Sequence, residues 1–353
     1  MPDVPSPLPA RPAEAHALAV AATLPGERIV ATSIGRGQAA RVLAADRPAA
    51  TVTAWFLDLH HCEAARAAWE PAPANLAAEC TADMPPGPYD LAVVPLVKAG
   101  EAELSRDILQ QAFQQLAIGG RLVATVDNAR DKWLREQLAA TGETVRVRPA
   151  ADGGEVIGYI VEKTKEPARI RDFTHRFMFR DRDRLLTAIT RPGVFAHRRI
   201  DPGARHLLNA VDVAPETRVL DIGCGSGCVA LGIAARDRSV QVHAFDSSAR
   251  AVECTRLAAE LNELPNITVA LEAEGRVPDR GTWDLALANP PYYADFEIAG
   301  KFVESARLAL APGGTLLVVT KQPAWYLDHL PRMWQDVAEE LVKGYHLIEA
   351  VRP

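Results

Sequence analysis

The chain has 353 residues, 48% hydrophobic and 24% charged, enough for two domains that each bury a full core. A net charge of −6 at pH 7 excludes a protein that coats nucleic acid with a uniformly basic surface, while leaving room for a local basic face. No apolar run approaches the roughly 18 residues of a membrane-spanning helix.

The opening MPDVPSPLPARPAEAHALAV reads as a flexible proline-rich tail over 1–20, without the ordered regions of a signal peptide. Over 21–163, short Val/Ile/Leu runs alternate with helical stretches, the pattern of a mostly parallel sheet covered on both faces. Trp55, Trp69 and Trp133 fall in this part and are expected in the core. The span 164–206 reads as a basic connector: from Lys163 to Arg205, twelve Lys and Arg stand against five acids, a net of +7. The alternation returns over 207–353. Strands are expected near 217–222, 240–245, 267–271, 284–288, 315–320 and 345–350, with helices over 226–236, 248–262, 298–310 and 331–343.

The two halves share more than a pattern. RVLDIGCGSG (218–227) before VHAFDSSARAVE (242–253) is echoed by IVATSIGRGQA (29–39) before AWFLDLHHCEAAR (54–66). A shift of 188 lays Gly35 on Gly223, Gly37 on Gly225 and Asp58 on Asp246; a shift of 194 lays Asp90 on Asp284 and Gly119-Gly120 on Gly313-Gly314. Such registers imply two copies of one fold. An internal pseudo-dimer of this kind is expected to be a monomer.

In the second copy a strand ends on Asp221 and enters a loop holding Gly223, Gly225 and Gly227 before a helix. Glycines there permit a tight turn and close approach of a ligand to the backbone. The spacing is G-x-G-x-G, not the dinucleotide G-x-G-x-x-G, and Asp221 would repel a pyrophosphate but welcome an ammonium or sulfonium. Asp246, at the next strand end, suits the two hydroxyls of a ribose. Cys224 and Cys228 flank this loop, but no second Cys/His pair at zinc spacing follows, so no metal is expected. The five cysteines, scattered at 62, 80, 224, 228 and 254, point to a reducing cytoplasm.

The strand 284–288 runs into Asn289-Pro290-Pro291-Tyr292. Two prolines cannot continue a sheet. They leave carbonyls beside an amide side chain and a ring, a set suited to a planar amine. The Asn289 oxygen and the Pro290 carbonyl can accept both N–H hydrogens while Tyr292 stacks, which aims the nitrogen lone pair at an electrophilic methyl group.

Together these stretches resemble the class I S-adenosylmethionine-dependent methyltransferases. By that resemblance Asp221, Gly223, Gly225 and Gly227 hold the methionine part, Asp246 the ribose, and Glu274 the adenine amine, with Glu272 as its alternative; Asn289 would border the cofactor as well. Asn-Pro-Pro-Tyr is shared by enzymes acting on adenine or guanine amines and on a glutamine of release factors. Pro192-Gly193-Val194-Phe195 followed by Asp201-Pro202-Gly203 is similar to the bacterial tandem-domain ribosomal RNA guanine-N2 methyltransferases, and the similarity extends over the whole chain, duplication included. It implies an α/β fold of two tandem Rossmann-like methyltransferase domains. Each would hold a seven-stranded, mostly parallel sheet with helices on both faces. The implied activity is methylation of a guanine N2 amine in ribosomal RNA or a ribosomal subunit, with Phe195, Arg198, Arg199 and Tyr293 toward the RNA. Where that family continues with Phe-His, this chain has Tyr292-Tyr293-Ala294-Asp295. A methyltransferase of adenine N6 or of a protein glutamine is the alternative. A scaffold inactive in both halves is opposed by the intact Asp221, Asp246 and Asn289 motifs.

The first copy is degenerate. In the 188 and 194 registers Ser33 stands at the place of Asp221, Ala39 at Gly227, Cys80 at Glu274 and Pro95-Leu96-Val97-Lys98 at Asn-Pro-Pro-Tyr, leaving Asp58 alone of the ligand-binding acids. The expected remaining tasks of this copy are packing and RNA holding.

Overall fold

The computed structural model describes residues 10–151, 153–291 and 296–353. The chain divides into two compact units, Met1–Phe173 and Thr174–Pro353. The first runs α1 (Pro12–Ala22), β1 (Arg28–Thr32), α2 (Gln38–Asp46), β2 (Thr51–Phe56), α3 (Leu59–Ala68), β3 (Leu76–Cys80), β4 (Tyr89–Leu96), α4 (Ala102–Gln114), β5 (Leu116–Val126), α5 (Trp133–Ala139), β6 (Val145–Pro149) and β7 (Ile157–Glu162). The second opens with a hairpin, β8 (His175–Asp181) and β9 (Arg184–Thr190). It continues through α6 (Pro202–Ala210), β10 (Arg218–Ile222), α7 (Cys228–Arg236), β11 (Gln241–Asp246), α8 (Ala249–Leu261), β12 (Ile267–Leu271), β13 (Trp283–Ala288), α9 (Glu297–Ala309), β14 (Leu310–Thr320), α10 (Ala324–His329), β15 (Gln335–Val342) and β16 (Tyr345–Val351).

Each unit holds a seven-stranded sheet of one topology: β3-β2-β1-β4-β5-β7-β6 in the first and β12-β11-β10-β13-β14-β16-β15 in the second. Five strands are parallel and the last two antiparallel, as in the β14–β16 and β16–β15 pairs. Side chains alternate between two cores, because successive residues of a strand face opposite ways. Val219, Val242 and Leu287 join one cluster with α6, α7 and α8; Leu220, Ala286 and Leu316 join another with α9 and α10. Trp55 and Trp69 are buried in the first unit. Trp133 is half-buried, with Arg106 5.4 Å above its ring.

Several sequence expectations change. Residues 12–20, expected within a tail, belong to α1 (Pro12–Ala22), with Ala13, Glu14 and Ala17 buried. Residues 331–343, expected as a helix, contain the edge strand β15, paired antiparallel with β16. Its Ala, Glu and Leu residues favour helix intrinsically; backbone pairing overrides that preference, and the exposed acids suit an unpaired sheet edge. The hairpin from the connector belongs to the second unit. Asp181 pairs with Arg236 of α7 at 2.8 Å, both side chains almost fully buried, so removing one partner of that pair costs about 3–5 kcal/mol.

The copies also superpose in a different register. β1 begins at Arg28 and β10 at Arg218, α2 at Gln38 and α7 at Cys228, β2 at Thr51 and β11 at Gln241, all 190 apart. The caps agree: Gly37 and Gly227, at φ 65° and 75°, precede their helices, and Asp58 and Ser248 cap α3 and α8. Asp58 therefore matches Ser248, not Asp246. Ala31 stands at the place of Asp221, Ser33 at Gly223, Gly37 at Gly227 and Phe56 at Asp246. The shift of 194 for β4 and β5 holds, from Tyr89 against Trp283 and Leu116 against Leu310.

Candidate active site

In open sheets of this kind ligands bind beyond the carboxyl ends of the strands, where the strand order reverses. In the second unit that point lies between β10 and β13, which pair in parallel with Ile222 beside Ala288. It brings Asp221 and its loop next to Asn289.

Asp221 is 4% exposed, and one of its oxygens accepts a 3.0 Å hydrogen bond from the Ala230 N–H in α7. Burial pushes its carboxyl up to about 7; the Ala230 N–H opposes that rise, and the nearby Asp246 charge adds to it. A cation at this carboxylate would stabilise its ionised form. The Phe245 carbonyl accepts from Gly223 and Cys224 N–H at 2.9 and 3.0 Å, which folds the loop across the end of β11. The Gly225 N–H donates to Asp246 at 2.9 Å, and Thr255 donates to the Gly225 carbonyl at 3.3 Å. Ser248 caps α8, so Asp246 is not spent as a helix cap; its second oxygen accepts from the Ser248 N–H at 2.8 Å.

Two positions in the loop call for glycine for different reasons. A Cβ on Gly223 would lie 2.7 Å from the Phe302 ring, and its φ of 74° is left-handed. A Cβ on Gly225 would only touch Phe195, at 3.7 Å, so there it is the left-handed φ of 54° that calls for glycine. A glycine loop set between two carboxylates fits a cationic, hydroxyl-bearing ligand such as S-adenosylmethionine. Phe195, 51% exposed, stands beside Gly225.

Glu274 sits beyond β12, in a 3.5 Å ion pair with Lys301 of α9. Glu272 is closer to the loop, its N–H donating to the Asp246 carbonyl at 3.0 Å, and its carboxylate accepts from the Glu274 N–H at 2.6 Å. Arg198 and Arg199 are exposed in the turn after Phe195, and Arg198 reaches His175 at 3.0 Å. Asn289 is half-buried and Pro290 buried. Tyr292 and Tyr293 lie outside the described residues.

Sequence reading missed three supports. Asp201 accepts a hydrogen bond from the Asn289 side-chain nitrogen at 2.8 Å. Thr255 and Phe302 brace the glycine loop from α8 and α9. No local spacing links these residues to the loop they support.

The first unit has filled the corresponding crevice. The Ser33 hydroxyl accepts from Gly35 and Gly37 N–H at 3.0 and 2.8 Å. The Trp69 ring would lie 2.5 Å from a Cβ on Gly37, and the Phe56 ring 3.2 Å. Buried Glu14 of α1 accepts from the Ala39 N–H at 3.2 Å, and burial raises its carboxyl above the usual range. β4 continues through Pro95 and Leu96 where β13 stops. Calorimetry should accordingly find one S-adenosylmethionine per chain; two would contradict the filling of the first crevice.

The family profile of the methyltransferase small domain matches residues 185–348. A ribosomal RNA small subunit methyltransferase C of Pseudomonas entomophila is 29% identical over 237 residues, covering 65% of this chain and 69% of the relative. Its namesake in Chromohalobacter salexigens is 34% identical over 157 residues, 40% of this chain and 45% of the relative. The solved T. thermophilus 16S rRNA N2 G1207 methyltransferase, in complex with AdoMet and guanosine, shares the fold over 97% of this chain and 92% of its own, with a TM-score of 0.79 at 22% identity. Residues 185–348 of the second unit thus match the methyltransferase small domain, and the chain is similar in sequence to small-subunit methyltransferase C proteins.

Proposed function

We propose that this protein methylates the exocyclic N2 amine of a guanine in small-subunit ribosomal RNA. The observation that carries the reading is the juxtaposition of Asn289 with the Asp221 loop at the switch point of the second sheet. The names borne by its relatives supply the nucleic-acid class and the base.

In this reading Asp221 with Gly223, Gly225 and Gly227 holds the methionine end of the cofactor, Asp246 the ribose and Glu274 the adenine. Bound there, S-adenosylmethionine supplies a methyl group already activated by its sulfonium. The protein's task is then positioning. The Asn289 oxygen and Pro290 carbonyl accept the two amine hydrogens, Tyr292 stacks on the base, and Phe195 and Tyr293 line the mouth. A paired base cannot enter such a loop, so the guanine must be unstacked. The first unit contributes RNA contact. Mass-spectrometric nucleoside mapping of ribosomal RNA from cells lacking the protein tests this. One guanine should lose its N2 methyl group, and an unchanged methylation map would overturn it.

Arg198 and Arg199, exposed beside Phe195, are suited to RNA phosphates. Reversing both charges (R198E/R199E) should weaken RNA binding several-fold and flatten its dependence on salt. An unchanged slope in filter-binding titrations would mean that these arginines form a merely solvated face.

A further inference from the structure

Asp201 stands 88 residues before Asn289, and its carboxylate serves two donors. One oxygen accepts from the Ala204 N–H at 3.2 Å, capping α6, and from the Asn289 side-chain nitrogen at 2.8 Å. Gly203 is packed against both: a Cβ there would lie 2.7 Å from the Asn289 oxygen and 2.8 Å from the Asp201 oxygen. No side chain fits between the cap and the reacting loop.

We infer that Asp201 is a positioning residue whose acceptor-only carboxylate fixes which end of the Asn289 amide meets the substrate. A primary amide is two-ended, with oxygen and nitrogen almost alike in shape, and half a turn about its last bond exchanges acceptor for donor. An amine nucleophile requires the acceptor end. An ionised carboxylate can pair only with the NH2 end, so turning the amide over would set oxygen against oxygen and lose a charge-assisted hydrogen bond. The helix cap thereby also selects the reacting loop for N–H donors.

The inference rests on the proposed role of Asn289 as acceptor of the substrate amine. An asparagine at 201 separates the two duties of the aspartate. Asn caps helices as well as Asp does, but it offers both donor and acceptor, so the Asn289 amide can pair with it either way round. The full chain, in wild-type, D201N, N289A and doubly substituted forms, is assayed with undermethylated ribosomal RNA. Turnover, KM for RNA, cofactor affinity and Tm are read for each form. D201N should lower kcat about tenfold, leaving KM, cofactor affinity and Tm near wild type. In the N289A background it should cause no further loss, since the amide it orients is gone. Wild-type turnover in D201N, losses that multiply in the double variant, or a fall in Tm that accounts for the lost activity would reduce Asp201 to a helix cap and overturn the inference. Full activity in N289A would instead remove the reading on which the inference stands.

Discussion

Replacing Asn289 with alanine is expected to slow methyl transfer at least 100-fold, a loss of about 2.7 kcal/mol of transition-state stabilisation. Cofactor affinity should stay within about twofold of wild type. The reason lies in what the side chain touches. The Asn289 backbone leads into the buried Pro290, so the loop stays placed when the amide and its hydrogen bond to Asp201 are removed. What the substrate loses is the proposed acceptor for its amine. Single-turnover kinetics with saturating cofactor, alongside calorimetry, separate the two quantities. Loss of cofactor binding equal to the loss of rate would reassign Asn289 to the cofactor.

The second large effect concerns pH. Burial holds the Asp221 carboxyl up at about 7. In the unfolded chain the group has an ordinary carboxyl pKa near 4. Between these values the folded state keeps a proton that the unfolded state has lost, so stability declines as pH rises through that window. Binding of a cation runs the other way, since it needs the ionised carboxylate. From pH 8 to pH 6 the ionised fraction falls about tenfold, and S-adenosylmethionine affinity should weaken by about the same factor, with proton release on binding near pH 6. Asp221→Asn should weaken binding by about 100-fold and abolish this pH dependence. Calorimetry in buffers of different ionisation enthalpy measures both. A wild-type affinity that is flat with pH would show that the carboxylate does not face the cation.

The parts of the fold legible in the sequence are those where local chemistry and long-range placement coincide. Asp221 lies next to the end of a strand and Gly223, Gly225 and Gly227 shape the turn that follows, and the left-handed angles of the three glycines bear out that need for glycine. Pro290-Pro291 ends β13 because neither residue can donate to a ladder. The β15 segment was not legible: Gln335–Val342 has the composition of a helix, and only β16 across the sheet edge makes it a strand. The register of the duplication failed by two residues for a related reason. Asp58 and Asp246 look alike in sequence, yet one caps a helix and the other follows a strand into the crevice, a distinction set by strand ends rather than by residue type. Asp201 was visible as part of a motif, but its grip on Asn289 needs α6 to be laid beside the end of β13. The carboxylate facing the amide is a fact of tertiary packing that no spacing encodes.

The most direct measurement is transfer itself. The purified full chain is incubated with undermethylated small-subunit ribosomal RNA and S-adenosylmethionine carrying an isotopically labelled methyl group, and the RNA is digested to nucleosides for mass spectrometry. Label in N2-methylguanosine, lost in N289A, is the expected result; label in N6-methyladenosine, label on a protein glutamine, or no transfer to RNA would contradict it.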